Sequence, residues 1–329
     1  MQDKFKTVAQ HKPGDAFDYE SETAQAWNSF PGSKNKIHFI DTSHWRFFNP
    51  EGSSLEKAMI KIRRGSLRVA RALLGDDTVR GPITIGAGSK ESGSRYIFLP
   101  TTGEIKDRYL PGATEAQERA CIFDHELVHA VGRGGMDDDA TRSESFADAY
   151  AVIRHLQRYG AASPVINALV TTRSFQMVFR EPGYGLDHFT SPIVAKILEQ
   201  RHAIDWKKLT PQETVDMAQK FVMRNQLGTT TTYNLHKEFS ALHDKAQDIG
   251  NGDIAPVKAL AEQLTTTNSA NVFKYGMLAL QACMEKKNIA AALKGAEWDE
   301  TRERLAAQEA VFAPPKQPPA AGRPPGSPG

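Results

Sequence analysis

Three polar residues with a fixed spacing lie in the stretch Cys121–Ala130, namely His125, Glu126 and His129. At roughly 100° per residue, the two histidines lie one turn apart on one helix face, so both imidazoles can bind a single metal ion. Glu126 is beside them and can approach a water near that ion without binding the ion itself. The other positions are apolar nearly all round, which predicts a buried helix. Polar groups on a buried helix need partners, and a metal ion supplies one.

A second pair of acids follows in the stretch Thr141–Tyr150, where Glu144 and Asp148 are four residues apart and share a helix face. A catalytic zinc ion takes three protein ligands and leaves a fourth position for water, so HExxH is one ligand short. Glu144 can complete the set if the two helices pack antiparallel, and Asp148 can then accept a hydrogen bond from a ligating imidazole. The alternatives are an ordinary helix face with two acids, and a third ligand among the aspartates at 137–139.

The sequence HELVH at 125–129, followed by ESFAD at 144–148, resembles the gluzincin metallopeptidases, which carry HExxH on one helix and ExxxD on the next. The resemblance covers residues 115–160, under a sixth of the chain. Only fourteen residues separate His129 from Glu144, which is similar to the compact gluzincins and short beside the thermolysin-like ones. The metzincin pattern HExxHxxGxxH is rejected, because the position of its third histidine is Gly135.

The resemblance implies hydrolysis of peptide bonds at a Zn²⁺ site. The implied zinc ligands are His125, His129 and Glu144. Glu126 is then the general base for a zinc-activated water, a role that contributes about 10²–10⁴-fold to the rate. Asp148 is implied to support a ligating imidazole.

Acyl transfer also needs a second electrophile for the oxyanion, and the candidates are His188 and Tyr184 in the glycine-containing loop 183–188. We expect an endopeptidase whose peptide or protein substrate adds as a strand to the edge formed by residues 95–99. Two other functions stay open. One is a helical interaction protein with a structural or vestigial metal site, and the other is a zinc hydrolase of non-peptide amides.

The predicted fold class is α+β and zincin-like. Residues 36–160 are expected to form a catalytic lobe in which a small mixed sheet, with strands at 36–40, 82–85 and 95–99, accompanies the active-site helix. Residues 161–312 are expected to form a helical lobe. Residues 1–35 are expected to be poorly structured, and the proline-rich tail 313–329 to be disordered.

Helices are predicted from apolar periodicity and from their end signals. The stretch 53–74 is amphipathic, and the helix at 211–226 has a capping box formed by Thr210 and Glu213, with Pro211 at its first position. Further helices are expected at 233–248, 255–265, 270–286 and 288–311.

The composition is that of an ordinary globular protein, with 329 residues, 40% hydrophobic residues and a net charge of +2. Basic residues are spread among acids, which argues against nucleic acid as a partner, and no run has the length of a membrane span. Cys121 and Cys283 do not make a disulfide framework. Without a recognisable signal sequence we expect a cytoplasmic protein, with signal-independent export and the oligomeric state left open.

Overall fold

The computed structural model describes residues 22, 37–41, 46–48, 83–87, 94–99, 110–131 and 140–313. Predictions for the N-terminal segment 1–35 (apart from residue 22), for a helix at 53–74 and for the tail after residue 313 concern residues outside this part. So do the aspartates at 137–139 and the glycines that precede them.

Helices follow one another along the whole continuous part of the described chain. They are α1 (Glu115–Val131), α2 (Ala140–Tyr159), α3 (Val165–Phe179), α4 (Pro182–Asp187), α5 (Ser191–Glu199), α6 (Pro211–Asn225), α7 (Thr229–Glu238), α8 (Ala246–Gly250), α9 (Ala255–Thr266), α10 (Ala270–Met284), α11 (Lys287–Ala292) and α12 (Ala296–Phe312). Two short 3₁₀ segments lie between them, at Trp206–Lys208 and Ser240–Leu242.

The predicted α+β class, with a zincin-like sheet in the catalytic lobe, is wrong. Helix accounts for 78% of residues 110–131 and 140–313, and these segments include no strand, so this body is all-α. The physical reason is that a helix, and not a sheet, provides most of the packing surface for the HExxH helix. The helix is apolar nearly all round, and the element that it contacts most extensively is another buried helix, α2.

Four short strands, too small a part to change the class, lie in isolated described segments: β1 (Ile37–Asp41), β2 (Arg46–Phe48), β3 (Ile83–Ala87) and β4 (Ser94–Leu99). Their order is β2-β1-β4-β3, and β4 pairs parallel with β1 and antiparallel with β3. Because β4 has a neighbour on each side, residues 95–99 do not form an edge. The prediction that a substrate strand adds there is therefore wrong.

The buried hydrophobic side chains form two clusters. The first is built mainly by α1, α2, α5, α6 and the first half of α3, and the second by the end of α3 together with α7, α9, α10 and α12. Helix α2 is buried at every position from Ser145 to Arg158 and contacts α1, α4, α5 and α6. It is therefore the central helix of the part of the molecule that contains the HExxH motif.

Several helix boundaries follow their sequence signals. The capping box of α6 is confirmed, since Thr210 Oγ1 accepts from the Glu213 N–H and Glu213 Oε2 accepts from the Thr210 N–H. The helices predicted at 255–265 and 270–286 are confirmed as α9 and α10. Those at 233–248 and 288–311 are wrong as single helices. The second is broken at Gly295, whose φ of 100° favours glycine. Among the described helices, none is long and apolar enough to cross a membrane.

Candidate metal centre

Helix α1 presents His125 and His129 on one face, as the i, i+4 spacing requires. Their rings lie edge to face with centroids 4.8 Å apart, and the two Nε2 atoms are 3.1 Å apart. Their side chains are only 14% and 19% exposed. The two imidazoles therefore meet at one point in a largely buried environment.

Helix α2 brings the Glu144 carboxylate to the same point. Its Oε2 is 3.2 Å from His125 Nε2, and its Oε1 is 3.2 Å from His129 Nε2. The three residues can offer ligand atoms that all lie within 4.8 Å of one another, and they are the group among the described residues that could hold a metal ion. The structure thus brings together the three residues whose role as zinc ligands was predicted.

Asp148, one turn after Glu144, lies behind His125. The Nδ1 of His125 donates to Asp148 Oδ1 at 2.7 Å. In a neutral imidazole this bond leaves Nε2 without a proton, so that its lone pair faces His129 and Glu144. Asp148 is itself 2% exposed, and its contact with His125 is the one expected from the spacing, while its role at a metal site stays a prediction.

His129 has a weaker partner. Ser143 Oγ lies 3.3 Å from His129 Nδ1, so a hydroxyl takes the place that a carboxylate has behind His125. If Nδ1 of neutral His129 donates to this oxygen, its Nε2 also carries a lone pair. The two imidazoles are therefore held by partners of unequal strength, and sequence reasoning missed Ser143 because a serine next to an acid is too common to be a signal.

The electrostatics of the cluster favour a positive charge between these groups. Burial lowers the pKa of His125, but Asp148 and Glu144 outweigh it and raise the pKa to about 10. Burial alone would raise the pKa of Glu144, and hydrogen bonding and attraction from the two imidazoles hold it well below its ordinary range. Either a proton or a metal cation would supply the positive charge that this cluster favours.

The donor set fits zinc in both chemistry and dimensions. Tetrahedral zinc with ligands at about 2.0–2.1 Å separates neighbouring donors by about 3.3 Å, close to the 3.1–3.2 Å between the ring nitrogens and the carboxylate oxygens. Glu144 Oε2 is buried, with His125 Nε2 at 3.2 Å and His188 Nε2 at 3.5 Å. When these imidazoles are neutral and their Nδ1 atoms carry the proton, the buried carboxylate faces lone pairs, and a cation such as zinc would satisfy it.

Glu126 follows His125 on α1 and is buried, with 7% of its surface exposed. It is next to His125 in sequence, and its role as a general base stays a prediction. Cys121, on the same helix, is a free buried thiol whose pKa is raised by burial. A thiol in that state is a core residue and a poor ligand.

The short helix α4 places the predicted oxyanion residues next to the cluster. His188 Nε2 is 3.5 Å from Glu144 Oε2, and the His188 ring stacks on Tyr184 with centroids 4.0 Å apart. Gly185 lets α4 pack closely against α3 and α7, since a Cβ there would be 3.1 Å from the Gln176 carbonyl oxygen and 3.3 Å from His236 Nε2. Tyr184 is 36% exposed and is the more open of the two.

The tautomer of His188 restricts what it can do. Its Nδ1 donates to the backbone carbonyl of Tyr184 at 3.1 Å, so Nε2 carries a proton only in the imidazolium form. Burial lowers the pKa of His188, which disfavours that form. Tyr184 has no such restriction, because its hydroxyl accepts from Gln176 Nε2 at 3.5 Å and keeps its own proton to donate.

Sequence reasoning also missed Arg173, a buried arginine on α3. Its Nε and Nη2 donate to the two oxygens of Asp148 at 2.7 and 2.9 Å, and Thr190 Oγ1 donates to Asp148 Oδ2 at 2.5 Å. A signal did exist, since Arg173 is the single charged residue in the helix VINALVTTRSFQMVF. Such a residue predicts an internal acidic partner, although not which one.

Comparison with protein families, with curated proteins and with solved structures finds no match.

Proposed function

We propose that this chain is a zinc-dependent metallopeptidase of the gluzincin type, with His125, His129 and Glu144 as the metal ligands. The observation that carries the proposal is the meeting of two ring nitrogens, 3.1 Å apart, with a carboxylate whose two oxygens each lie 3.2 Å from one of them. Without a metal, a proton on His125 Nε2 can satisfy Glu144, and zinc would take the place of that proton. In the neutral imidazole the hydrogen bond to Asp148 holds the one proton on Nδ1, which leaves Nε2 free to bind the metal.

Bound zinc would supply Lewis acidity, which lowers the pKa of a nearby water to about 7 and polarises the scissile carbonyl. Three protein ligands leave a fourth position open, as in catalytic zinc sites and unlike closed structural ones. An open position supports an enzyme rather than a protein that uses the metal for folding.

The remaining chemistry belongs to side chains of this chain. Glu126 accepts the proton of the attacking water and later delivers it to the leaving amine nitrogen. The Tyr184 hydroxyl donates to the developing oxyanion, and His188 does so only as the imidazolium. Asp148 and Ser143 keep the two ligating rings in the orientation that points Nε2 into the cluster. A cytoplasmic location belongs to the proposal, and fractionation of cells that produce the chain tests it.

The deciding experiment separates proton transfer from metal binding. Wild type and Glu126→Gln are incubated with a diverse library of unfolded peptides, and new termini are identified by mass spectrometry. Because the amide cannot act as a base, we expect cleavage to fall by at least about 10²-fold, while zinc content and thermal stability stay near those of wild type.

Two outcomes would overturn the proposal. Cuts made equally by both proteins would come from a contaminant, and an absence of cuts by zinc-loaded wild type across the library would favour a helical interaction protein. Hydrolysis confined to small amide substrates would instead identify an amidase that uses the same residues.

A further inference from the structure

The geometry points to Arg173 as a positioning residue that sets the direction of the hydrogen bonds on both sides of the proposed active site. This inference rests on the proposed function and deepens it. Arg173 lies on α3, outside the HExxH and ExxxD motifs, and its side chain is 5% exposed. Its described hydrogen bonds go to Asp148 and Gln176, so we infer that it acts through these two residues.

The first arm runs from Arg173 to His125. The guanidinium donates to both oxygens of Asp148, and Thr190 donates to one of them as well. With these donors present, Asp148 stays a carboxylate and an acceptor, so His125 must donate through Nδ1. In the neutral imidazole, the form that binds a metal, His125 therefore has its lone pair on Nε2, the atom that faces the cluster. Arginine is suited to this role because its charge and its planar fork fix the orientation of the carboxylate.

The second arm runs from Arg173 to Tyr184. Arg173 Nη1 donates to Gln176 Oε1 at 3.1 Å, and Gln176 Nε2 donates to the Tyr184 hydroxyl at 3.5 Å. Since a guanidinium has no acceptor, the Gln176 amide cannot be turned the other way. Its NH₂ group must face Tyr184, which then accepts from Gln176 and retains its own O–H for another acceptor.

The two arms meet again at the cluster. Tyr184 stacks on His188, and His188 Nε2 lies 3.5 Å from Glu144. The buried Arg173 guanidinium thus has two consequences. Neutral His125 has its lone pair on Nε2, toward the metal site, and the Tyr184 hydroxyl is free to donate on the oxyanion side. A residue with only a structural role would hold these groups in place without determining which atoms carry the protons.

The most specific test reverses one bond and leaves the shape nearly unchanged. In Gln176→Glu, the new carboxylate accepts from Arg173 and also from the Tyr184 hydroxyl, so this hydroxyl is no longer free to donate to the oxyanion. We expect kcat to fall to the level of Tyr184→Phe with KM changed by less than about threefold, and the double variant to be no slower than either single one. In the metal-free protein, the ¹³Cζ signal of Tyr184 should shift, while the ¹⁵N signals of His125 should match those of wild type.

Arg173→Lys tests both arms together, because lysine keeps the charge and lacks the fork. We expect zinc affinity, measured by chelator competition, to fall about 10–100-fold, with the His125 and Tyr184 signals both changed in the metal-free protein. Arg201→Lys is the matched control, since Arg201 donates to the Leu198 carbonyl and has no described bond to this network. It should match wild type in every measurement. If Arg173→Lys fails to fold by circular dichroism, the Gln176→Glu series alone decides.

The inference is overturned if the Tyr184 signal is the same in Gln176→Glu as in wild type, or if folded Arg173→Lys binds zinc like wild type with an unchanged His125 tautomer. Failure of the proposed function looks different. In that case wild type itself binds no zinc and cuts no peptide, while the signals of His125 and Tyr184 in the metal-free protein still report on the network.

Discussion

Asp124 and His125 are neighbours on α1, but their side chains belong to two different buried polar networks. Asp124 faces Arg158, which also donates to Glu22 at 2.5 Å, while Arg154 lies 3.8 Å from both acids. Each of these side chains is at most 6% exposed. Two carboxylates meet two guanidiniums, so the charges of this network, the Asp124 network, are balanced by the protein itself.

The cluster around Glu144 is built from similar groups with a different result. Arg173 compensates the charge of Asp148. The Glu144 carboxylate faces the Nε2 atoms of His125 and His129, which carry lone pairs when the imidazoles are neutral and their Nδ1 atoms hold the proton. Both regions are buried in the same helical body, so burial does not distinguish them. The difference is charge balance. A network completed by guanidiniums needs no ligand, whereas one completed by imidazoles leaves room for a cation.

The largest expected effect breaks the balanced network. Arg158→Met leaves buried carboxylates without their closest cation, which costs about 3–5 kcal/mol of unfolding free energy. Urea denaturation of the metal-free protein measures this loss. Lys208→Met, which removes an exposed ion pair with Asp205, is the control and should leave stability near that of wild type. Wild-type stability in Arg158→Met would mean that the two networks do not differ in the way proposed.

Removing Glu144 breaks the other side of the comparison. Glu144→Ala takes away one of three ligands, so we expect a loss of zinc affinity of more than about 100-fold, beyond the range of a supporting residue. Elemental analysis of wild type should find about one zinc per chain, and His125→Ala or His129→Ala should lose it. Single changes at the aspartates at 137–139 should retain it. A variant pattern in which an aspartate change removes the metal and Glu144→Ala keeps it would contradict the ligand assignment.

A change at Asp148 sharpens the comparison, because Asp148 is a carboxylate compensated by arginine that also touches a proposed ligand. We expect Asp148→Ala to lower zinc affinity about 10–100-fold, less than Glu144→Ala does. Chelator competition measures both under the same conditions. Asp216→Ala, at an exposed position of α6, should leave the affinity unchanged. Equal losses for Asp148→Ala and Glu144→Ala would show that the two acids have the same role.

The smallest effect is expected at Ser143, the hydroxyl behind His129. A single hydrogen bond of this kind contributes about 0.5–1.5 kcal/mol, so Ser143→Ala should weaken zinc binding by about tenfold at most. Ser145→Ala, a buried serine on the same helix with no hydrogen-bonded partner among the described residues, is the matched control. A loss as large as that of Asp148→Ala would show that the two imidazoles are supported equally, contrary to their geometry.

The local features of this chain were determined by sequence, because their causes lie within a few residues. The i, i+4 spacing of His125 and His129 places both rings on one face of any helix that contains them. The capping box of Thr210 and Glu213 started α6 at the predicted position. Glu144 and Asp148 could also be paired with the histidines beforehand, since a catalytic zinc site needs a third ligand and a support for an imidazole.

Tertiary structure decided everything that depended on contacts between distant segments. The short apolar runs at 36–40, 82–85 and 95–99 do overlap strands, but the α+β class was wrong because period alone does not tell what covers a buried helix, and α2 covers much of α1. The partners of Arg158 lie 34 and 136 residues away, and Arg173 is 25 residues from Asp148. Sequence shows that a buried arginine must find an acid, but only the packing of helices selects which one, because the gain from pairing depends on distances that the fold sets.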